Sequence, residues 1–351
     1  MTRAVGIDPG TVSIDVCGLV DGRLYLDRSW STEEALANPA DLVQRLTESG
    51  MPDLVAGPSG YGLPLVSSAT ATDADLRLAF LAGPDEQGGI GGLRQFARLL
   101  GNSGLPVVYT PGVIHLATVP RHRKLNRVDL GTADKLSATV LGIQQECEHR
   151  NCSPEEVSFI LLELGGAFTA AVAVERGQIV DGIGGTSGPI GWRSAGALDG
   201  EVAFLAGRVS KAALFQGGVS TLLERDSTGA GMAHEAYVEG AMKAVRQLRQ
   251  SAPSARDVLL SGRHSSSPEI ADPLARRLAD VGSVRRLTGF ATKAKEGAQG
   301  AALLADGLAG GRHARLVDRM CLREASGTVL DHLVFVSPEN ARKRLGLPEH
   351  A

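Results

Sequence analysis

The sequence predicts an α/β fold built as two similarly organised halves. Two observations carry this. A strand–Gly turn–strand–turn–strand pattern occurs near the N-terminus and returns after residue 157, each time with a carboxylate where the first strand meets its turn. Between and after the two copies, helical spacing alternates with short apolar strands, the pattern of sheets covered by helices.

Ala4 to Ile7 is an apolar run that stops at Asp8-Pro9-Gly10, and Ser13 to Val20 resumes with strand-forming residues. Asp21-Gly22 is a hairpin turn signal before a third strand from Arg23 to Asp27. Asn38-Pro39 opens a helix with Leu42, Val43 and Leu46 on its apolar face. Leu54 to Ala56 reads as a buried strand running into the loop from Gly57 to Gly62, Gly91 to Leu100 as a helix, and Pro106 to Tyr109 as a strand. Leu130 to Gln145 has helical spacing at Leu136, Val140 and Ile143. The second copy follows: Val157 to Leu164, the turn Gly165-Gly166, Phe168 to Val174, the turn Arg176-Gly177, and Gln178 to Asp181. Ala233 to Gln250 is a helix, Val258 to Leu260 a strand ending at Ser261-Gly262-Arg263, Pro268 to Ala279 a helix, and Ala294 to Leu308 a small-residue helix. In the remaining tail, Val329 to Val336 is expected to add a strand. The expected units are a first lobe over 1–130, a second lobe with the connecting helices over 131–310, and a tail over 311–351.

Composition bounds the function. The chain has 351 residues, 43% hydrophobic and 21% charged, enough to bury a large core without disulfides. A net charge of −3 argues against nucleic acid as a partner, and the basic run Arg121 to Lys124 reads as a solvated loop. Cys17, Cys147, Cys152 and Cys321 lack metal-ligand spacing and read as free thiols, in keeping with a reducing cytoplasm. The N-terminal residues lack a signal-peptide core, and no apolar stretch approaches the ~20 residues of a membrane span.

The turns carry the candidate chemistry. Asp8-Pro9-Gly10-Thr11 sets amides and a hydroxyl around a tight bend, with Gly10 allowing close approach of an anion and Asp8 suited to Mg2+. Glu163 beside Gly165 and Gly166 repeats that arrangement in the second half, and two such loops can clamp a triphosphate from opposite sides. Ser261-Gly262-Arg263 offers a flat backbone for an adenosine. Asp134, near a helix start, is a candidate base toward a hydroxyl. Ser59 and Tyr61 are candidate donors to an acceptor.

In order, these motifs resemble the sugar kinase/Hsp70/actin superfamily. Val5 to Thr11 looks like its first phosphate loop, Leu162 to Gly166 its second, and Leu260 to Arg263 its adenosine motif. Leu130 to Leu141 and Ala294 to Leu308 resemble its two connecting helices. The resemblance implies two ribonuclease H-like lobes of the actin-like ATPase fold around a nucleotide cleft, with ATP and Mg2+ as ligands. Gly184 to Leu198 is similar to the Gly-Pro…Arg-Ser-Gly…Leu stretch of butyrate kinases, with an extra Ala195, and the chain is also similar to an uncharacterised family predicted to be butyrate kinase-like. The likeness makes Arg193 the group facing the transferring phosphoryl and a small carboxylate the expected acceptor. The histidine-asparagine signature of butyrate kinases is not evident at 120–135, where Asp129 and Asp134 stand instead. Three other readings stay open: a kinase of a hydroxyl substrate with Asp134 as base, a nucleotide-dependent ATPase switch, and a RuvC-like nuclease, whose opening Gly-Ile-Asp-Pro-Gly-Thr resembles this one. A homodimer is the expected assembly if the chain is not monomeric.

Overall fold

The computed structural model describes residues 1–10, 12–57, 59–83, 90–225 and 229–348. Its first sheet has the strand order β3-β2-β1-β4-β6-β5, with β1 Arg3–Pro9, β2 Ser13–Val20, β3 Arg23–Ser31, β4 Leu54–Gly57, β5 Val66–Ser67 and β6 Val107–Tyr109. The second has the order β11-β10-β7-β8-β9, with β7 Phe159–Leu164, β8 Thr169–Glu175, β9 Gln178–Ile183, β10 Asp257–Ser261 and β11 Ser283–Arg286. Each sheet is an antiparallel three-strand meander extended by two parallel strands, and in the first sheet the short β5 is added antiparallel at the edge. The expected repetition is therefore real at the level of topology. Both meanders turn on a pair of left-handed residues, Asp21 (φ 48°) with Gly22 (φ 73°) and Arg176 (φ 52°) with Gly177 (φ 74°), the backbone a two-residue hairpin needs to match strand twist.

The helices are α1 Thr32–Ala37, α2 Pro39–Thr47, α3 Asp73–Phe80, α4 Ile90–Gly101, α5 Arg121–Lys124, α6 Ala133–Arg150, α7 Gly200–Ala206, α8 Val219–Arg225, α9 Ala230–Arg249, α10 Pro268–Arg277, α11 Glu296–Leu308, α12 Ala314–Arg319 and α13 Pro338–Arg344. Two of them form the centre. α11 lies on β1, β2 and β4, while α6 lies on β7 and β8, and the two helices pack on each other. Small residues make this possible. A Cβ on Gly6 of β1 would stand 2.1 Å from the Ala302 nitrogen, and one on Gly300 would stand 1.7 Å from the Ser137 carbonyl oxygen. The first sheet, α11 and α6 are thus stacked with backbone against backbone, while α6 meets the second sheet through side chains such as Phe159.

Strand alternation then fixes which side chains face that centre. In β1, Val5 and Ile7 join a core with α2 to α4, so Ala4, Gly6 and Asp8 face α11. In β7, Ile160, Leu162 and Leu164 join the core under α9, and Phe159 and Leu161 join the core with α6. Glu163 falls on the α6 side.

The structure moves several expected boundaries. The strand β3 continues past Asp27 to Ser31, and α6 starts at Ala133 because Gly131 has φ 127° and its amide donates to Asp129. The basic run expected as a solvated loop is the single helical turn α5, and its Lys124 is buried, donating to the Leu116 carbonyl at 2.8 Å. Residues 329–336 form turns and bends, with no strand among them. Local side-chain bonds take the place of the expected strand pairing there. Asp331 accepts from the Thr328 amide and hydroxyl, and Asn126 Oδ1 accepts from the Val334 and Phe335 amides.

The tail belongs to the body of the fold. Leu316, Val317, Met320, Leu322, Val329, Leu330 and Leu347 bury in the core that also holds α6 and α11. Arg77 of α3 donates to the Gly346 carbonyl at 3.0 Å. Among the described residues no helix is long and apolar enough to cross a membrane.

Candidate active site between the two sheets

Asp8 lies near the end of β1, and its register partner across the hairpin is Asp15. The Gly10 amide donates to the Ser13 carbonyl at 2.8 Å, which closes the first turn. Thr11 lies outside the described residues. A Cβ on Gly10 would stand 3.3 Å from Lys295 Nζ, so the lysine covers the turn from the residue preceding α11. Lys295 pairs with the buried Asp15 at 3.0 Å. The Asp8 carboxylate rests on the first turn of α11, 2.6 Å from where a Cβ of Gly297 would be. Burial first, and then the negative charge of Asp134, push its pKa up to about 7, against the pull of Lys295 and Lys135.

On the other sheet, Glu163 and Ser261 are register partners in β7 and β10. Ser261 is fully buried and its hydroxyl donates to Glu163 Oε2 at 3.0 Å. Gly262 (φ 84°) lies against the second loop: a Cβ there would stand 3.1 Å from the Gly165 amide nitrogen. Arg263 reaches along the same surface, its Cδ 3.7 Å from a Cβ built on Gly166. The structure thus brings Gly165, Gly166, Ser261, Gly262 and Arg263 together, as a glycine-lined ledge beside Glu163.

Asp134 stands in the first turn of α6, accepting from the Thr132 hydroxyl and pairing with Lys135 at 2.5 Å. Burial pushes its carboxyl up, but Lys135 and these hydrogen bonds outweigh burial and hold it below the ordinary value. Lys135 also reaches Glu163 Oε1 at 3.4 Å. Burial disfavours its charge, yet Asp134, Glu163 and Asp8 together raise its pKa. In Glu296, burial first and the charge of Glu163 in addition raise the carboxyl pKa. Sequence reasoning does not single out Lys135, Lys295 or Glu296. The signal that could have found them is an adjacent pair of opposite charges opening each connecting helix, Asp134-Lys135 and Lys295-Glu296.

Arg193 is exposed, and its amide donates to the Ala167 carbonyl at 3.0 Å, which fixes its backbone to the second loop. Its guanidinium lies 5.6 Å from the Phe215 ring centroid, and Phe215 meets Phe168 edge-on at 5.0 Å. Ser59 is buried, and its hydroxyl donates to the Gly57 carbonyl and accepts from the Thr110 amide at 2.7 Å. That hydroxyl ties β4 to the end of β6, so the hydrogen expected to reach an acceptor is already given within the fold. Tyr61 is half-buried with Lys211 Nζ 5.5 Å from its ring centroid. Burial and the neighbouring Asp129 raise its phenol pKa.

The donor set fits a magnesium–phosphate group. Mg2+ takes one or two carboxylates and fills its remaining positions with water and phosphate oxygens. Asp8 and Glu163 would supply those carboxylates, and backbone is open close to Glu163 at Gly166, where a Cβ would meet nothing nearer than Arg263 Cδ at 3.7 Å. Among the described residues no three acids, histidines or cysteines form a complete metal cage, so this site would hold the ion through the phosphates as well as through the protein.

Similarity to solved structures agrees with this architecture. A propionate kinase from Francisella tularensis subsp. tularensis SCHU S4 aligns with a TM-score of 0.61 at 12% identity, covering 86% of this chain and 99% of that one. Acetate kinase from Entamoeba histolytica aligns with a TM-score of 0.58 at 9% identity, covering 80% and 87%. Porphyromonas gingivalis acetate kinase aligns with a TM-score of 0.56 at 13% identity, covering 80% and 88%. At these identities the likeness establishes the fold, which is the actin-like ATPase fold. No curated protein matches the sequence. The family model described as "Protein of unknown function (DUF1464)" matches residues 6–335, and the chain belongs to that family.

Proposed function

We propose that the protein transfers the terminal phosphoryl group of Mg-ATP to a small carboxylate. The carrying observation is the state of Asp134. A hydroxyl acceptor needs a base to take its proton. Asp134 is the acid expected to serve, but it is engaged by Thr132 and Lys135 and its pKa is lowered. A carboxylate arrives already ionised and needs no base. Its oxygen attacks the terminal phosphorus, the bond from that phosphorus to the bridging oxygen breaks, and ADP leaves with the bonding pair.

The residues divide this work between the two sheets. In this reading the first turn at Gly10 borders the phosphates on one side, and the ledge at Gly166 and Gly262 borders them on the other. Asp8 and Glu163 orient Mg2+, which when bound neutralises charge on the phosphate oxygens. Arg193 is the candidate to neutralise the transferring group. The test is a screen of short carboxylates and polyols with Mg-ATP, reading ADP release and trapping any acyl phosphate with hydroxylamine. Hydroxamate formed with a carboxylate supports the reading. Protein that binds ATP but releases ADP only with polyols, or with no acceptor at all, would overturn it.

A further inference from the structure

Lys135 has no task in phosphoryl transfer as described, yet it lies among acids carried by both sheets. Its ammonium pairs with Asp134 at 2.5 Å and Glu163 at 3.4 Å, and the side chain is only 16% exposed. Asp8 adds its attraction from the opposite sheet. The acids thus come from β1, α6 and β7. In such a site charge is weakly screened, so a cation already present strongly disfavours a second one.

Asp8 and Glu163 are the acids that face the metal in the reading above, on which this inference rests. A divalent ion arriving alone meets carboxylates whose charge the ammonium already answers. An ion arriving with a nucleotide brings phosphate charge with it, and the flexible four-carbon stem of a lysine can follow that charge. We propose that Lys135 is a resident counter-ion in the place of a divalent cation, so that the site rejects the free metal and admits it only together with phosphate.

The experiment titrates Mn2+ into the full-length protein, followed by electron paramagnetic resonance, without nucleotide and then with ADP. Wild type and Lys135→Arg are expected to bind Mn2+ weakly alone and at least about tenfold more tightly with ADP. Lys135→Met is expected to bind one Mn2+ without nucleotide at least about tenfold more tightly than wild type. An unchanged Mn2+ affinity in folded Lys135→Met overturns the inference. If that variant does not fold, wild type decides: equal Mn2+ affinity with and without ADP overturns it. Gain of Mn2+ binding by Lys135→Met supports the counter-ion role even if no carboxylate proves to be an acceptor, so the two readings fail separately.

Discussion

Ser261 donates a 3.0 Å hydrogen bond to Glu163 across the β10–β7 pair, where the two are register partners. The serine is fully buried, so the bond orients a carboxylate that would otherwise be free to turn. Ser261→Ala is expected to lower kcat/KM for Mg-ATP by roughly 10–100-fold, the usual effect of removing a group that orients a metal-facing ligand. The free energy of unfolding should change by only about 1 kcal/mol. A normal kcat/KM in the variant would remove Glu163 from the metal's surroundings.

Asp8 links the site to pH. Its carboxyl rises from an ordinary 3.8 to about 7 in the fold, by burial first and Asp134 second. A raised carboxyl stabilises the fold below the unfolded value and loses that contribution as pH climbs through the folded one. Stability in nucleotide-free, metal-free buffer should therefore fall from about pH 4 to about pH 7 through this group. Asp8→Asn should remove that fall and be more stable than wild type at about pH 8, by up to roughly 4 kcal/mol. Stability profiles of the two proteins that run parallel across this window would contradict the assignment.

The central layer should be intolerant of a single methyl group. Gly300→Ala would bring a carbon within 1.7 Å of the Ser137 carbonyl oxygen, and should cost about 3 kcal/mol or more. Gly231 in α9 has nothing within 4 Å of the same position, and Gly231→Ala should stabilise by about 0.5 kcal/mol. Urea denaturation of both variants separates crowding from helix propensity.

Ser59→Ala should act on stability and not on catalysis. It strands the Thr110 amide, which now donates to the Ser59 hydroxyl at 2.7 Å. The expected loss is about 1–3 kcal/mol, with KM for the acceptor unchanged. A selective rise in that KM would place Ser59 in the acceptor pocket.

Arg193→Ala should abolish acceptor-dependent ADP release, a fall of about 100-fold or more, while leaving ATP binding in place. Its side chain is exposed, so unfolding should move by no more than about 0.5 kcal/mol.

Much of the architecture is legible because it is written locally. Asp21-Gly22 and Arg176-Gly177 each specify a hairpin within two residues, and the two meanders follow. Asp8, Glu163 and Ser261 stand out in the sequence because each lies at a strand end close to glycine. Lys135, Lys295 and Glu296 do not, since their importance depends on α6 and α11 meeting between sheets that are far apart in sequence. Ser59 is ambiguous because its loop composition suits a ligand as well as it suits the strand tie it makes. The expected strand at 329–336 fails for a related reason. Its apolar residues read as a pleated run, while side-chain bonds from Asp331 and Asn126 hold the backbone in turns.

The placement of α11 has a consequence for the order in which the chain can fold. The first sheet is complete by residue 109, but the face carrying Ala4, Gly6 and Ala56 is covered by residues 296–308. During synthesis that face stays wet until residues 296–308 have left the ribosome. The second sheet, with α6 and α9 close to its strands in sequence, has its covering helices near at hand. The N-terminal half is thus made first and finished last, and it is the half that most needs protection from aggregation while the rest of the polypeptide is being made.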